Sequence, residues 1–314
     1  MISASLVLYE TPDEQLELLL HCLEKSSLRP FLHIVDNSPL PRPRASFEKP
    51  WIQYTATGRN LGYGAGHNIA LRKVLRTSSF HFILNPDVRF DETELEKIVA
   101  FAESDPSIGL VMPKIIYPDG SLQYLCKLIP TPGDLLLRRI AMPLLRDAMR
   151  RKMERFELRF TGYDQIMEVP VLSGCFMLLG TEALRKVGLF DERFVMYLED
   201  FDLSRRIHEQ FRTVFYPGAL VTHDHAKYSY RSLRGLQMHA SSAIKYFNKW
   251  GWLIDPIRRG TNRKILQELR LTGTGKNGYE SAQATGASRT YGQDAFVGEV
   301  SAPGSASEEE LVRH

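Results

Sequence analysis

The stretch MISASLVLYETPDEQLELLLHCLEKSSLRPFLHIVDN, residues 1–37, reads as strand, helix, strand. Ile2–Tyr9 is an apolar run of strand length, and no basic segment precedes it. It reads as a first core strand, not a signal peptide. Thr11-Pro12-Asp13-Glu14 then spells a helix start. Thr11 is the expected N-cap, Pro12 takes the first helical position, and Glu14 closes a capping box. Leu16, Leu19, Leu20 and Leu23 follow at helical spacing and give one apolar face. Phe31–Val35 is a second apolar run, ending at Asp36-Asn37.

The alternation continues outward from there. A proline-rich loop, Pro39 to Pro50, precedes a short run at Trp51–Tyr54. The loop Gly58–Gly66 leads into a helix predicted near Asn68–Leu75. Phe80–Leu84 is a buried-type strand ending at Asn85-Pro86-Asp87. Asp91 and Glu94 open a helix carried by Leu95, Ile98, Val99 and Ala102, and Ile108–Met112 is strand-like. Strands alternating with helices imply an α/β fold with a mostly parallel central sheet. Ligands of such sheets collect at the carboxyl ends of strands, where Asp36 and Asp87 stand.

The middle differs. Arg138 to Arg159 holds eight arginines or lysines against Asp147, Glu154 and Glu157, interleaved with Leu136, Ile140, Leu144 and Leu145. It reads as a basic amphipathic helical stretch. Val169–Leu172 has strand character. Val214–Val221 reads as a strand pair or bend around Pro217-Gly218. Leu233 to Trp252 is a predicted helix with Leu236, Ile244, Phe247 and Trp250 as its apolar positions. Periodicity stops near Thr272, so 272–314 is expected to be a disordered tail.

Composition is ordinary for a globular chain: 314 residues, 43% hydrophobic and 25% charged. A net charge of only +3 implies no nucleic-acid partner. Cys22, Cys126 and Cys175 have neither zinc-like spacing nor an even count, which fits a reducing compartment. No run approaches the ~20 apolar residues of a spanning helix. A cytoplasmic protein, or one peripheral on the inner membrane face, is expected.

Three acidic sites stand out: Asp36, Asp87 and the pair Glu199-Asp200. Asp87 could hold a divalent cation, or serve as a turn aspartate, because Asn-Pro-Asp is good turn chemistry. Glu199, Asp200 and Asp202 crowd three acids into four positions amid apolar residues. Such crowding can raise a carboxylate pKa into the range of a general base; for Asp202, helix capping is the preferred reading. The Gly58–Asn68 loop lets backbone approach a phosphate closely, but its spacing is neither a dinucleotide fingerprint nor a P-loop. His223 and His225 follow a strand and read as metal ligands or as structural histidines.

As an ordered set these motifs resemble the family 2 inverting glycosyltransferases of the GT-A fold, in particular the rhamnosyltransferase-like branch. The residues carrying the resemblance are Val35-Asp36-Asn37, Arg59 through Asn68, Asn85-Pro86-Asp87, Ser173-Gly174-Cys175-Phe176, and Phe190 through Phe194 running into Glu199-Asp200-Phe201-Asp202-Leu203. The resemblance covers about Ile2 to His225. It implies a catalytic domain over 1–225, with a nucleotide-sugar half to about 112 and an acceptor half beyond. A helical extension over 226–271 follows. Asp36 would bind the donor pyrimidine, and Arg59, Asn60, Gly62 and Asn68 would wall the nucleoside. Asn85 stands where the family's metal motif usually has its first acid, and Asp87 matches its last. Ser173 and Gly174 would lie beside donor sugar and acceptor. Asp200 matches the base, Glu199 shapes the acceptor site, and His223 helps hold the metal.

The implied cofactor is Mg2+ or Mn2+. The implied partners are a nucleotide-sugar donor, with dTDP-rhamnose the best match, and a glycan or lipid-linked glycan acceptor. Arg138–Arg159 reads equally as a contact with an anionic membrane surface, as a solvated basic helix or as a cover over the acceptor site. A sugar nucleotidylyltransferase fits less well, since Tyr9-Glu10-Thr11-Pro12 replaces the glycine-rich loop it needs after the first strand. A catalytically silent binding protein on the same fold is the other alternative.

Overall fold

The computed structural model describes residues 1–137, 146–224 and 233–283. The chain divides into Met1–Gly273 and Thr274–His314. Of the second unit only a helical start, to Gln283, is described. The first part runs β1 (Ile2–Leu8), α1 (Asp13–Lys25), β2 (Phe31–Asp36), β3 (Ile52–Ala56), α2 (Tyr63–Val74), β4 (Phe80–Leu84), β5 (Val88–Arg89), α3 (Glu94–Glu103) and β6 (Ile108–Ile116). It continues with α4 (Pro132–Leu137), α5 (Arg146–Phe156), β7 (Met167–Glu168), β8 (Phe176–Gly180), α6 (Thr181–Val187), α7 (Glu199–His208), β9 (Arg212–His223), α8 (Leu233–Trp250) and α9 (Pro256–Gln283).

Among the described residues nine strands form one sheet in the order β3-β2-β1-β4-β8-β6-β9-β5, with β7 also on β9. β3, β2, β1 and β4 are mutually parallel, as the opening stretch predicts. β8 is antiparallel to both neighbours and joins this half to the parallel pair β6–β9. Helices cover both faces. Leu16, Leu19, Leu20 and Leu23 of α1 and Leu95, Ile98, Val99 and Ala102 of α3 are all buried on one face, with Phe82, Leu84 and Val111 of the sheet. Each buried leucine contributes roughly 1.5–3 kcal/mol. Ile83 and Leu110 point the other way, into a core shared with Leu71, Phe201 and Phe247.

Several local expectations are corrected. Thr11 does not cap α1: its hydroxyl accepts from Tyr9 N at 3.2 Å, and Pro12 holds the cap position without a side-chain bond. α2 starts at Tyr63, earlier than predicted, because Gly62 ends the loop. Gly62 has φ +95°, and a Cβ there would lie 2.5 Å from Val195 O, so only glycine fits. Val169–Leu172 is not a strand; the short β7 precedes it. Residues 212–223 form one strand, and the bend at Pro217-Gly218 is taken up as a bulge, since Pro113 pairs with Tyr216 but Lys114 with Leu220. In α8, Leu236 and Ile244 are exposed, whereas Tyr246 and Phe247 are buried. The last helix continues past 272 to Gln283.

Charge fastens the last two helices to α7. Arg205 reaches Asp255 with two bonds, of 2.8 and 3.0 Å, and both side chains are at most 3% exposed. Its guanidinium also stacks on Trp250, 3.9 Å from the ring centroid. Asp255 Oδ1 accepts from Arg258 N at 2.9 Å and so caps α9 as well. Removing one partner of a buried pair strands the other charge. Asp255→Ala is therefore expected to cost about 3–5 kcal/mol by chemical denaturation. A loss below about 1 kcal/mol, the range of an exposed pair, would show that Arg205 finds water instead.

Candidate active site

The acidic block is presented by a strained turn. Tyr197 and Leu198 both sit in the left-handed region, φ +68° and +66°, immediately before α7. Two such non-glycine residues cost on the order of 1–3 kcal/mol each and persist only when their surroundings impose them. The constraints are visible: Tyr63 N donates to Val195 O at 2.9 Å, and Ser242 Oγ donates to Met196 O at 2.8 Å. The turn delivers Glu199 and Asp200 at the head of α7.

Asp200 is held on both oxygens. Gly174 N donates to Oδ2 at 3.0 Å and Phe201 N to Oδ1 at 2.9 Å. Gly174 permits this closeness, since a Cβ there would lie 3.2 Å from Asp200 Cβ. Burial raises the Asp200 pKa, against the two backbone donors and Lys127, which lower it. Glu199 is pushed well above the carboxylate range, by burial first and then by Asp200, and its Oε2 is buried without a hydrogen-bond partner. Asp202 is different. It is fully buried and accepts from Arg206 Nε at 2.9 Å and Trp250 Nε1 at 2.8 Å, with Lys249 Nζ at 2.7 Å. That makes it an anchor for α8 and not the cap predicted.

Asp200, Glu199, Ser173 and His223 line one cavity of about 560 Å3, together with Lys127 and Arg159. His223 arrives there because β5 and β9 pair Val88 with His223, beside Asp87. Its Nε2 lies 3.3 Å from Asp87 Oδ1 and 3.4 Å from Asn85 Nδ2. Gln123 holds the ring from behind, with Oε1 3.0 Å from Nδ1 and Nε2 donating to His223 O at 2.7 Å. Burial lowers the His223 pKa, but Cys175 and Asp87 outweigh it and lift it to about 10.

Asp87 Oδ1 is buried and takes no hydrogen bond. A buried carboxylate oxygen whose near neighbour is an imidazole nitrogen at 3.3 Å, the other ring nitrogen being fixed, suits a divalent cation. Among the described residues no three His, Cys, Asp or Glu side chains gather for a metal. A two-residue donor set is what a cation needs when substrate phosphates complete its shell.

Asp36 lies elsewhere, in a 370 Å3 cavity with Ser38, Arg42 and Arg44. Burial would raise its pKa. Donors from Ser38 N at 2.9 Å, Tyr54 Oη at 2.8 Å and Arg42 N at 3.3 Å outweigh burial and hold it below the usual value. Of the glycine-rich loop, Arg59 and Asn60 are exposed, and Asn60 Oδ1 accepts from Gly62 N at 2.9 Å. Asn68 is buried, with its amide spent on Phe190 N and O and on Glu192. It staples the loop to the acidic block. His225 lies outside the described residues, as do 138–145 of the basic stretch.

No family model matches the chain. It is 28% identical over 273 residues to the N-acetylglucosaminyl-diphospho-decaprenol L-rhamnosyltransferase of Mycobacterium tuberculosis, spanning 79% of this chain and 85% of that protein. It is 24% identical over 175 residues to the low-salt glycan biosynthesis hexosyltransferase Agl10 of Haloferax volcanii, across 55% of this chain and 52% of that one. Among solved structures it is similar to the mannosyltransferase PcManGT from Pyrobaculum calidifontis in complex with GDP-Man and Mn2+, with 14% identity, a TM-score of 0.50, and coverage of 90% of this chain and 80% of that chain. The chain is a glycosyltransferase with a GT-A-type fold, and its sequence is similar to a rhamnosyltransferase.

Tyr63 is the residue of this glycosyltransferase that sequence reasoning passed over. Its hydroxyl lies 2.6 Å from Gly174 O and 3.0 Å from Asn85 Oδ1, bridging the Asp87 side to the Asp200 side. Its place inside the Arg59–Asn68 motif was the available signal. Gln123 and Lys127 carried none, since each lies in a stretch without periodicity or motif, and Arg159 was read only as the end of the basic stretch.

Glu199 gives a prediction about pH. A carboxyl whose folded pKa exceeds its unfolded one stabilises fully below the unfolded pKa and loses that share as pH rises through the folded pKa. Glu199→Gln should then raise Tm at pH 8 by about 2 °C or more, and the gain should shrink as pH falls to about 5. An unchanged or lower Tm at pH 8 would mean that Glu199 is ionised and satisfied in the fold.

Proposed function

We propose that the chain is an inverting glycosyltransferase that moves a sugar from a nucleotide-diphosphate donor to a hydroxyl of a lipid-linked or polysaccharide acceptor. The observation carrying this reading is Asp200, fixed on both oxygens by backbone N–H groups at the wall of the cavity that also exposes His223. Asp200 is the base, Asp36 holds the donor base from its own cavity, and Asp87 with His223 holds a divalent cation, Mg2+ or Mn2+. The name of the mycobacterial relative supports rhamnose as the sugar and a diphospho-lipid acceptor. dTDP-rhamnose is the matching donor.

Transfer is one displacement. The acceptor hydroxyl enters the cavity lined by Tyr124, Tyr197 and Phe201 and gives its proton to Asp200 as it attacks the anomeric carbon. The raised pKa of Asp200 makes it a stronger base than an exposed aspartate. The other described acids near the cavity are poor nucleophiles: Asp202 is bonded to α8, Glu157 to Arg159, and burial pushes the Glu199 carboxyl well up. One displacement inverts the anomeric centre. Asp87 and His223 would hold the cation, which would supply neutralisation of the departing diphosphate, worth several kcal/mol. Ser173 and Gly174 flank the reacting sugar, and Glu199 shapes the acceptor wall.

Asp200→Asn is expected to lower kcat by about 10²–10⁴-fold while donor affinity holds. Retention of more than a tenth of turnover would remove Asp200 from the base role. Asp87→Ala should abolish the extra thermal stabilisation that Mn2+ adds to bound nucleoside diphosphate, because residue and ion act as a unit. If variant and wild type respond to metal equally, Asp87 is a turn residue and the cation lies elsewhere.

A further inference from the structure

α9 packs inward through Ile265, Leu266 and Leu269, and Asn262 bonds both the N–H and the C=O of Ile129. Beside that buried stripe the helix is cationic. Arg259, Arg263 and Arg270 are exposed and share one side. Lys152 and Arg155 of α5 stand opposite, and the two sets line a groove of about 840 Å3. No Asp or Glu lines it. Lys152 reaches Asp134 at 3.2 Å, but Arg155, Arg259 and Arg263 have no carboxylate partner among the described residues. Cations that face one another without counter-charge raise the energy of the free chain, and an anionic surface relieves it.

The turn between α8 and α9 closes one end of the groove and is strongly apolar. Leu253 is 80% exposed and Ile254 79%, with Trp252 and Ile257 also exposed. The turn is built rather than slack. Gly251 has φ +97° and admits Ile254 O where a Cβ would meet it at 2.6 Å. Buried Arg258 donates to Leu253 O at 3.2 Å and Trp252 Nε1 to Asn248 Oδ1 at 2.8 Å. A soluble anion would satisfy the arginines and leave these aliphatic side chains in water. The headgroup layer of an anionic bilayer satisfies both.

We infer that the groove between α5 and α9, with the Trp252–Ile257 turn, is the face by which this chain docks on an anionic lipid bilayer. Guanidinium groups meet lipid phosphates, and Leu253 and Ile254 enter the headgroup boundary. The contact expected from Arg138–Arg159 thereby moves: of its described part, Lys152 and Arg155 take part, and α9 supplies the rest. The assignment deepens the lipid-linked reading of the acceptor. The α4–α5 segment lines both places, with Leu135 in the acceptor cavity and Pro132 and Lys152 in the groove.

The test is co-sedimentation of the full chain with phosphatidylglycerol-containing and pure phosphatidylcholine vesicles, at low and high salt. Binding to the anionic vesicles alone, released by salt, is expected. Each cation near the surface is worth roughly fivefold in affinity, so Arg259→Glu/Arg263→Glu should lower binding by roughly 25-fold or more. Leu253→Asp/Ile254→Asp should also weaken it, at positions too exposed to threaten folding. Both variants should keep wild-type transfer to a detergent-solubilised acceptor, so that a failed docking face is distinguishable from a failed transferase reading. No binding at low salt, or equal binding by the variants, overturns the inference. So does groove-dependent stabilisation by inorganic pyrophosphate without vesicle binding, which would make the groove a soluble-anion site.

Discussion

The site depends on two backbone N–H groups that hold one carboxylate. Gly174 N and Phe201 N fix the two oxygens of Asp200, and they belong to different parts of the chain, the lead into β8 and the first turn of α7. A second contact joins the same two parts, since Ser204 Oγ lies 3.3 Å from Leu172 N and 3.2 Å from its carbonyl, and together they hold α7 although it enters through a left-handed turn that local preference opposes. From Gly174 the constraint runs on. Its carbonyl lies 2.6 Å from Tyr63 Oη, and Tyr63 reaches Asn85 beside Asp87. Displacing Asp200 would therefore disturb the group opposite it. The proposed single displacement would use this linkage, since attack and departure would then occur on opposite sides of one carbon.

The acids of the block divide their work by what they touch. Asp191 is drawn far below the usual range, first by the hydrogen bond from Arg193, with Lys249 adding to it. It fixes the block to α8. Asp202 does the same from inside. Only Glu199 and Asp200 face the cavity, and there the same burial that stabilises an apolar neighbour raises a carboxyl pKa. Structural and reactive acids thus sit within a dozen residues of one another. Partner chemistry separates them: arginine, lysine and indole on one set, backbone N–H or nothing on the other.

That division explains what the sequence could and could not tell. The parallel half of the sheet was legible because α1 and α3 each bury one clean apolar stripe, and periodicity reports burial on one face. The acidic block and Asp87 were legible as motifs. Asp202 was misassigned because an acid in a first helical turn looks like a cap whether or not an indole waits behind it. In α8, apolar spacing named Leu236 and Ile244, which are exposed. The helix is oriented instead by Trp250 and Lys249, which bond Asp202. Specific polar anchors override a weak apolar stripe, and a single sequence does not show where they lie. Asn68 teaches the same lesson: a polar residue in a glycine-rich loop suggests ligand contact, yet its amide bonds Phe190 and Glu192.

The C-terminal helices follow from these anchors. α8 and α9 bury Tyr246, Phe247, Ile265, Leu266 and Leu269 in the core, and Arg205 and Asp255 bind them to α7, the helix that carries Asp200. Asp255 pairs with α7 and caps α9 with the same carboxylate, so the start of α9 is set by a group in van der Waals reach of α7. The direction of α9, and of the arginines along it, is thereby tied to the position of Asp200, five residues or about 7.5 Å of helix from Arg205, at about 1.5 Å per residue. An extension that packed only by apolar contact could slide by a turn at small cost. A buried bidentate ion pair cannot, since one turn of slip would leave both charges unpaired in the interior. The cationic face of α9 and Asp200 are therefore tied into one frame through Arg205 and Asp255.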